Sequence, residues 1–173
     1  MNDKKILIAY YSRTGENYAN GRIVNLPIGN TAVIADKIKK LTGGDLFEIK
    51  TVKPYPKNYT ETTNVASKEL HENARPELSK YLSDISDYDF IFLGFPNWWG
   101  TMPMPVYTFL EACNFNGKTI IPFCTHEGGG MANSVKDIKS VCPSAIVNTG
   151  IAIRGTDVKH SDNLVESLVL QAK

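Results

Sequence analysis

The chain is poor in the residues that would tie it to metals, disulfides, membranes or polyanions. Its three cysteines, Cys113, Cys124 and Cys142, are odd in number and widely spaced, and its three histidines, His71, His126 and His160, are equally scattered. Neither set has metal-ligand spacing, and no disulfide framework is implied. Reduced, packed thiols in a cytoplasmic protein are the expectation. Charge of one sign is also missing: 19 Lys and Arg against 18 Asp and Glu leave a net charge of +1. That balance provides no electrostatic basis for binding nucleic acid or an anionic membrane. No apolar run approaches the ~20 residues of a membrane-spanning helix. Met1-Asn2-Asp3-Lys4-Lys5 precedes only a strand-length apolar stretch, so no secretory signal is expected. Without a secretory route, the Asn58-Tyr59-Thr60 sequon carries no meaning.

Two catalytic signatures are absent as well. Gly117-Lys118-Thr119 looks like the end of a nucleotide P-loop, but Ala112 stands where its first glycine belongs. It also precedes an expected strand, whereas that motif must precede a helix. No Gly-x-Ser-x-Gly elbow occurs. Cys124 near His126 leaves a Cys–His nucleophile pair open, with no third group to orient it.

What the chain does contain is alternation. At 173 residues it suits one domain, 1–173, with a full core. Strands are expected at Lys5–Tyr11, Asp45–Lys50, Asp89–Phe95, Thr119–Thr125 and Ala145–Ile153. Helix-period stretches lie between them, near Thr31–Leu41, Thr60–His71, Pro103–Cys113, Met131–Val141 and Ser161–Gln171. In the first helix Val33, Ile34, Ile38 and Leu41 form the apolar stripe, and Gly43-Gly44 stops it. In the last, the stripe is Leu164, Val165, Leu168 and Val169. Such alternation predicts an α/β fold of right-handed βαβ units on a parallel sheet.

Two insertions interrupt this plan. Between Asn17 and Ile28 the chain delays its first helix, and Asn20-Gly21 between β-prone residues predicts a hairpin there. From Val52 to Leu78 a second long segment, beginning with Pro54-Tyr55-Pro56, delays the third strand. Long insertions at the ligand edge of a sheet are more often functional than accidental.

Three strand ends point to one crevice. After the first strand come Ser12-Arg13-Thr14-Gly15, and beyond the insertion Gly29-Asn30-Thr31 at a helix start. Hydroxyls, free N–H groups and a helix N-terminus suit the phosphate of a larger planar cofactor. After the third strand, Pro96-Asn97-Trp98-Trp99-Gly100 holds both tryptophans of the chain. One can pack inward while the other lies over a flat ligand. After the fourth, Thr125-His126-Glu127-Gly128-Gly129-Gly130 lets the backbone approach a ligand closely, with His126 as a possible donor or proton source.

Together these loops resemble the flavodoxin family over nearly the whole chain. The resemblance implies a flavodoxin-like three-layer αβα sandwich, its five-stranded parallel sheet in order 2-1-3-4-5, with FMN at the carboxyl edge. It places the phosphate at Ser12, Arg13, Thr14, Gly15, Asn30 and Thr31. It sets Pro96, Asn97, Trp98, Trp99 and Gly100 beside the dimethylbenzene ring and N5. Thr125, His126, Glu127, Gly128 and Gly129 then follow the pyrimidine edge. Two registers are open at the tryptophans: either Trp98 stacks and Trp99 replaces a flipping glycine, or Trp99-Gly100 restores the family pattern. Tryptophan in the flipping position would resist φ > 0.

The resemblance implies an FMN electron carrier serving redox partner proteins. The alternative is an FMN-dependent NAD(P)H or quinone oxidoreductase acting on a small quinone-like substrate, with Tyr55 or Tyr59 in its pocket. The low net charge departs from the acidic surface of family carriers. A flavin-free binding module is the remaining possibility.

Overall fold

The computed structural model describes residues 4–173, so Met1-Asn2-Asp3 lie outside it. Its main sheet is built from β1 (Ile6–Tyr10), β4 (Asp45–Glu48), β5 (Phe90–Pro96), β6 (Thr119–His126), β7 (Ile146–Val147) and β8 (Ile151–Arg154). Every pairing is parallel, and the order is β4-β1-β5-β6, with β7 and β8 sharing the last position beside β6. This is the expected order with its final strand divided. β7 pairs with Thr119 and Ile120, and β8 with Phe123 to His126, so the break falls opposite Ile121 and Pro122. Proline has no N–H to offer a neighbour, which removes one rung of the ladder at that point.

Alternation along the strands fills two cores. Leu7 and Ala9 of β1, with Ile91, Leu93 and Phe95 of β5, face one side; Ile8, Phe90 and Phe92 face the other. The first side is covered by α3 (Met104–Ala112) and α4 (Ser134–Val141) through Val106, Phe109, Leu110 and Ile138. The second is covered by α1 (Asn30–Thr42) and α5 (Asp162–Val169) through Ile34, Ala35, Ile38, Val165 and Leu168. Each such fully buried aliphatic or aromatic side chain stabilises the fold by roughly 1.5–3 kcal/mol.

The helical stripes differ in detail from expectation. Leu41 and Leu164 are half exposed, and Ala35 takes the buried place in α1. Both leucines sit at the margin of their stripe, where the flat covering layer ends. A 3₁₀ turn over Gly155–His160 precedes α5, and the helix near Met131 begins only at Ser134.

The first insertion is a hairpin of β2 (Gly15–Ala19) and β3 (Arg22–Leu26), forming a separate two-stranded antiparallel sheet. Asn20 at φ 49° and Gly21 at φ 80° make the turn, the backbone signature of type I′. The second insertion carries α2 (Tyr59–His71), whose start is capped by the Asn58 side chain accepting from Glu61 N–H. Thr51 and Leu78 bridge its two ends beside the sheet.

Candidate functional site

The site lies at the carboxyl ends of β1, β5 and β6. The interrupted loop after β1 is closed by contact rather than by sequence. Gly29 sits so close to Ser12 that a Cβ would collide with the Ser12 hydroxyl and the Arg13 carbonyl. Ser12 Oγ accepts the Ala32 N–H at 3.1 Å, one of the amides that α1 leaves without an internal partner. The N–H groups of Asn30 and Thr31 come before it in the same open turn. Thr31 and Thr125 hydroxyls meet at 2.8 Å in the interior and join this helix start to the end of β6.

Arg13 turns to the insertions. Its Nε donates to Glu16 O and its Nη2 to Lys57 O, both at 2.9 Å. Glu16 Oε2 accepts the Tyr59 N–H at 2.6 Å, so hairpin and α2 are clasped together through the residue that follows Ser12. Tyr18 of the hairpin stacks on Tyr59, ring centroids 6.2 Å apart and 25° between planes.

The tryptophan loop is a tight turn. Trp98 and Thr101 exchange backbone hydrogen bonds, Asn97 Oδ1 accepts the Gly100 N–H, and Asn133 N–H donates to Gly100 O. Trp99 at φ 55° and Gly100 at φ 81° both occupy the left-handed region. The expected resistance of tryptophan to φ > 0 is overcome: the surrounding hydrogen bonds over-determine the turn, at an expected strain of about 1–3 kcal/mol. Trp98 is the inward ring, edge-on to Tyr11 and Tyr55 at 5.3 and 5.1 Å. Trp99 is 59% exposed and donates its Nε1–H to Thr63 O of α2 at 3.0 Å.

Behind this cluster Tyr55 O–H donates to Glu69 Oε2 at 2.6 Å. Burial pushes both the Tyr55 hydroxyl and the Glu69 carboxyl above their ordinary ranges.

The loop after β6 supplies polar edges. Gly128 N–H donates to His126 Nδ1 at 2.9 Å, so the neutral imidazole carries its proton on Nε2. Glu127 Oε2 lies 3.7 Å from Arg154 Nε, while its buried Oε1 has no hydrogen-bond partner among the described residues. Asn97 Nδ2 donates to Gly130 O at 2.8 Å and packs on Gly129, tying this loop to the tryptophan turn.

These contacts distribute the candidate residues over three neighbouring spaces, all bordered by Arg13. A cavity of about 120 Å³ gathers Arg13, Asn30, Thr31, Pro96, Asn97, Trp98, Thr125, His126 and Glu127, together with Asn17, Tyr18 and Tyr59 from the insertions. Trp99 borders a neighbouring space of about 290 Å³ with Thr62, Thr63 and Ala66. Ser12, Thr14 and Gly15 line a groove of about 580 Å³ on the β4 side, near Tyr55 and Lys57. Gly100 and Gly128 shape turns rather than line the cavity. The Cys–His pair does not form: Cys124 is 1% exposed and burial pushes its thiol up to about 12. Sequence reasoning missed Asn17 and Tyr18 as cavity residues, because the hairpin signal says nothing about where its side chains point.

The chain belongs to the flavodoxin family, whose model matches residues 5–168. It is similar to a Bacteroides uniformis protein classed as a flavoprotein, 27% identical over 95% of this chain and 99% of that one, with a TM-score of 0.75. A Bacteroides eggerthii protein of the same class is 28% identical over 94% and 98%, with a TM-score of 0.71. A Lactobacillus acidophilus flavoprotein, solved in complex with FMN, is 26% identical over 91% and 97%, with a TM-score of 0.65. No curated protein matches the sequence significantly. Among the described residues no helix is long and apolar enough to cross a membrane.

Proposed function

We propose that this protein binds FMN and transfers electrons through it. The reading rests on one arrangement: a helix start with open amides, an inward tryptophan and polar loop edges converge on a single cavity at the sheet's carboxyl edge. The donor set suits the cofactor. Ser12 Oγ and the Asn30 and Thr31 amides are neutral donors for a phosphate monoester. Trp98 offers an apolar ring for a flat heterocycle. Bound FMN would supply the redox chemistry, and the protein would position it and set its potential.

A specific observation favours a small acceptor over a protein partner. The hairpin and α2 are hydrogen-bonded and stacked beside the cavity, so the cofactor edge they border is walled by this chain itself. A net charge of +1 also provides little steering toward basic redox proteins. These features support an FMN-dependent oxidoreductase acting on a small quinone-like compound, with electron transfer to proteins as the other role. Turnover of NAD(P)H with a simple quinone by the FMN-loaded protein supports the enzyme. Electron delivery to cytochrome c or a flavodoxin-type partner without such turnover supports the carrier.

A further inference from the structure

We infer that Tyr18 and Tyr59, contributed by the two insertions, act as a pair that contacts the ring of the bound cofactor and selects for a flat ligand; the inference rests on the FMN reading above. Both line the 120 Å³ cavity, where the other aromatic rings are Trp98 and the His126 imidazole. The loop from Thr125 to Gly130 contributes no phenol, phenyl or indole ring. Beyond Trp98 and His126, aromatic cover for a ligand in this cavity therefore comes from the insertions.

The cavity is lined mainly from the ends of β1, β5 and β6 and the start of α1. Most of its walls are fixed. Thr31 and Thr125 are buried and bonded to each other, Asn97 is tied to Gly100 and Gly130, and Gly155 presses on Asn30 and Glu127. Tyr18 is 42% exposed, and the hairpin that carries it stands outside the main sheet. The tyrosine pair is the wall that the insertions add, and it sets two phenols where a ring entering the cavity meets them. The Tyr59 N–H is held from the hairpin by Glu16, and Arg13, the residue after Ser12, donates to the carbonyls of Glu16 and Lys57 and so ties the two insertions together. The two rings also stack on each other, so removing either one takes away the other's packing partner.

The test is a titration of apoprotein with FMN and with riboflavin, followed by flavin fluorescence. Tyr18→Ala and Tyr59→Ala each weaken both flavins by the same factor, about tenfold, because the ring and not the phosphate is touched. The double variant loses little more than either single one, and Tyr59→Phe keeps wild-type affinity. Ser12→Ala, by contrast, weakens FMN alone. Circular dichroism and thermal melting check folding, and Tyr59→Leu replaces Tyr59→Ala if that variant fails to fold. Wild-type affinity for both flavins in the tyrosine variants, or a loss confined to FMN, overturns the inference while leaving the cofactor reading intact. A wild-type protein that ignores both flavins overturns the two together.

Discussion

Ser12 and Gly29 stand on either side of the hairpin insertion, yet no methyl group fits between them. Their contact closes the loop that the hairpin opens and sets Ser12 Oγ on the Ala32 amide. Gly29→Ala should therefore cost stability by overpacking, about 1–3 kcal/mol, and weaken FMN more than riboflavin. Chemical denaturation and paired flavin titrations measure the two effects. Full stability in the alanine variant would mean that the loop halves are not held by this contact.

The tryptophan turn yields an asymmetric pair of predictions. A Cβ at Gly100 meets nothing within 4 Å, so Gly100→Ala isolates backbone strain at φ 81° and destabilises by about 1–2 kcal/mol. Trp99→Gly relieves strain at φ 55° but loses the Nε1–H bond to Thr63, and the two effects nearly offset. A change in unfolding free energy within about 1 kcal/mol is expected for Trp99→Gly, measured beside Gly100→Ala.

The three thiols should be inert in the folded protein. Burial pushes Cys124 up to about 12 and Cys142 up to about 11, and raises Cys113 as well. Little thiolate is then present at mildly alkaline pH. A thiol reagent should label none of them rapidly in native protein and all three cysteines after unfolding in guanidinium. Fast native labelling of Cys124 would contradict its place in the core.

Glu69 should leave a mark on stability against pH. Burial raises its carboxyl, and this outweighs the lowering by the Tyr55 hydroxyl and by Lys53. The folded state then holds the proton more tightly than the unfolded chain. Its stabilising contribution is complete below the ordinary glutamate value of about 4.3 and is lost as pH rises through the higher folded value. Glu69→Gln keeps an oxygen for the Tyr55 hydroxyl and removes the titration. Relative to that variant, the wild-type melting temperature should fall as pH rises through this window. Parallel curves would show that Glu69 titrates as it does in the unfolded chain.

Local chemistry made much of the fold legible. Continuous apolar runs announced β1, β5 and β6, and Asn20-Gly21 announced the hairpin turn that the structure shows at positive φ. The split of the last strand was not legible, because it arises opposite Pro122 on a neighbouring strand. The register at Trp98 and Trp99 was open for a similar reason: partners distant in sequence, Asn133 and Thr63, help fix the turn. Arg13 looked like a phosphate ligand beside Ser12, but its hydrogen bonds go to the carbonyls of Glu16 and Lys57 in the insertions. Tyr18 and Tyr59 belong to separate insertions, and no local pattern shows that their rings meet.

The most direct test is a stoichiometric titration of apoprotein with FMN, read by flavin absorbance and fluorescence and repeated with riboflavin. One equivalent of FMN should bind, more tightly than riboflavin, with the difference reduced in Ser12→Ala. A colourless protein that takes up neither flavin, or one that binds riboflavin as tightly as FMN, would contradict the phosphate-anchored site built on Ser12, Asn30 and Thr31.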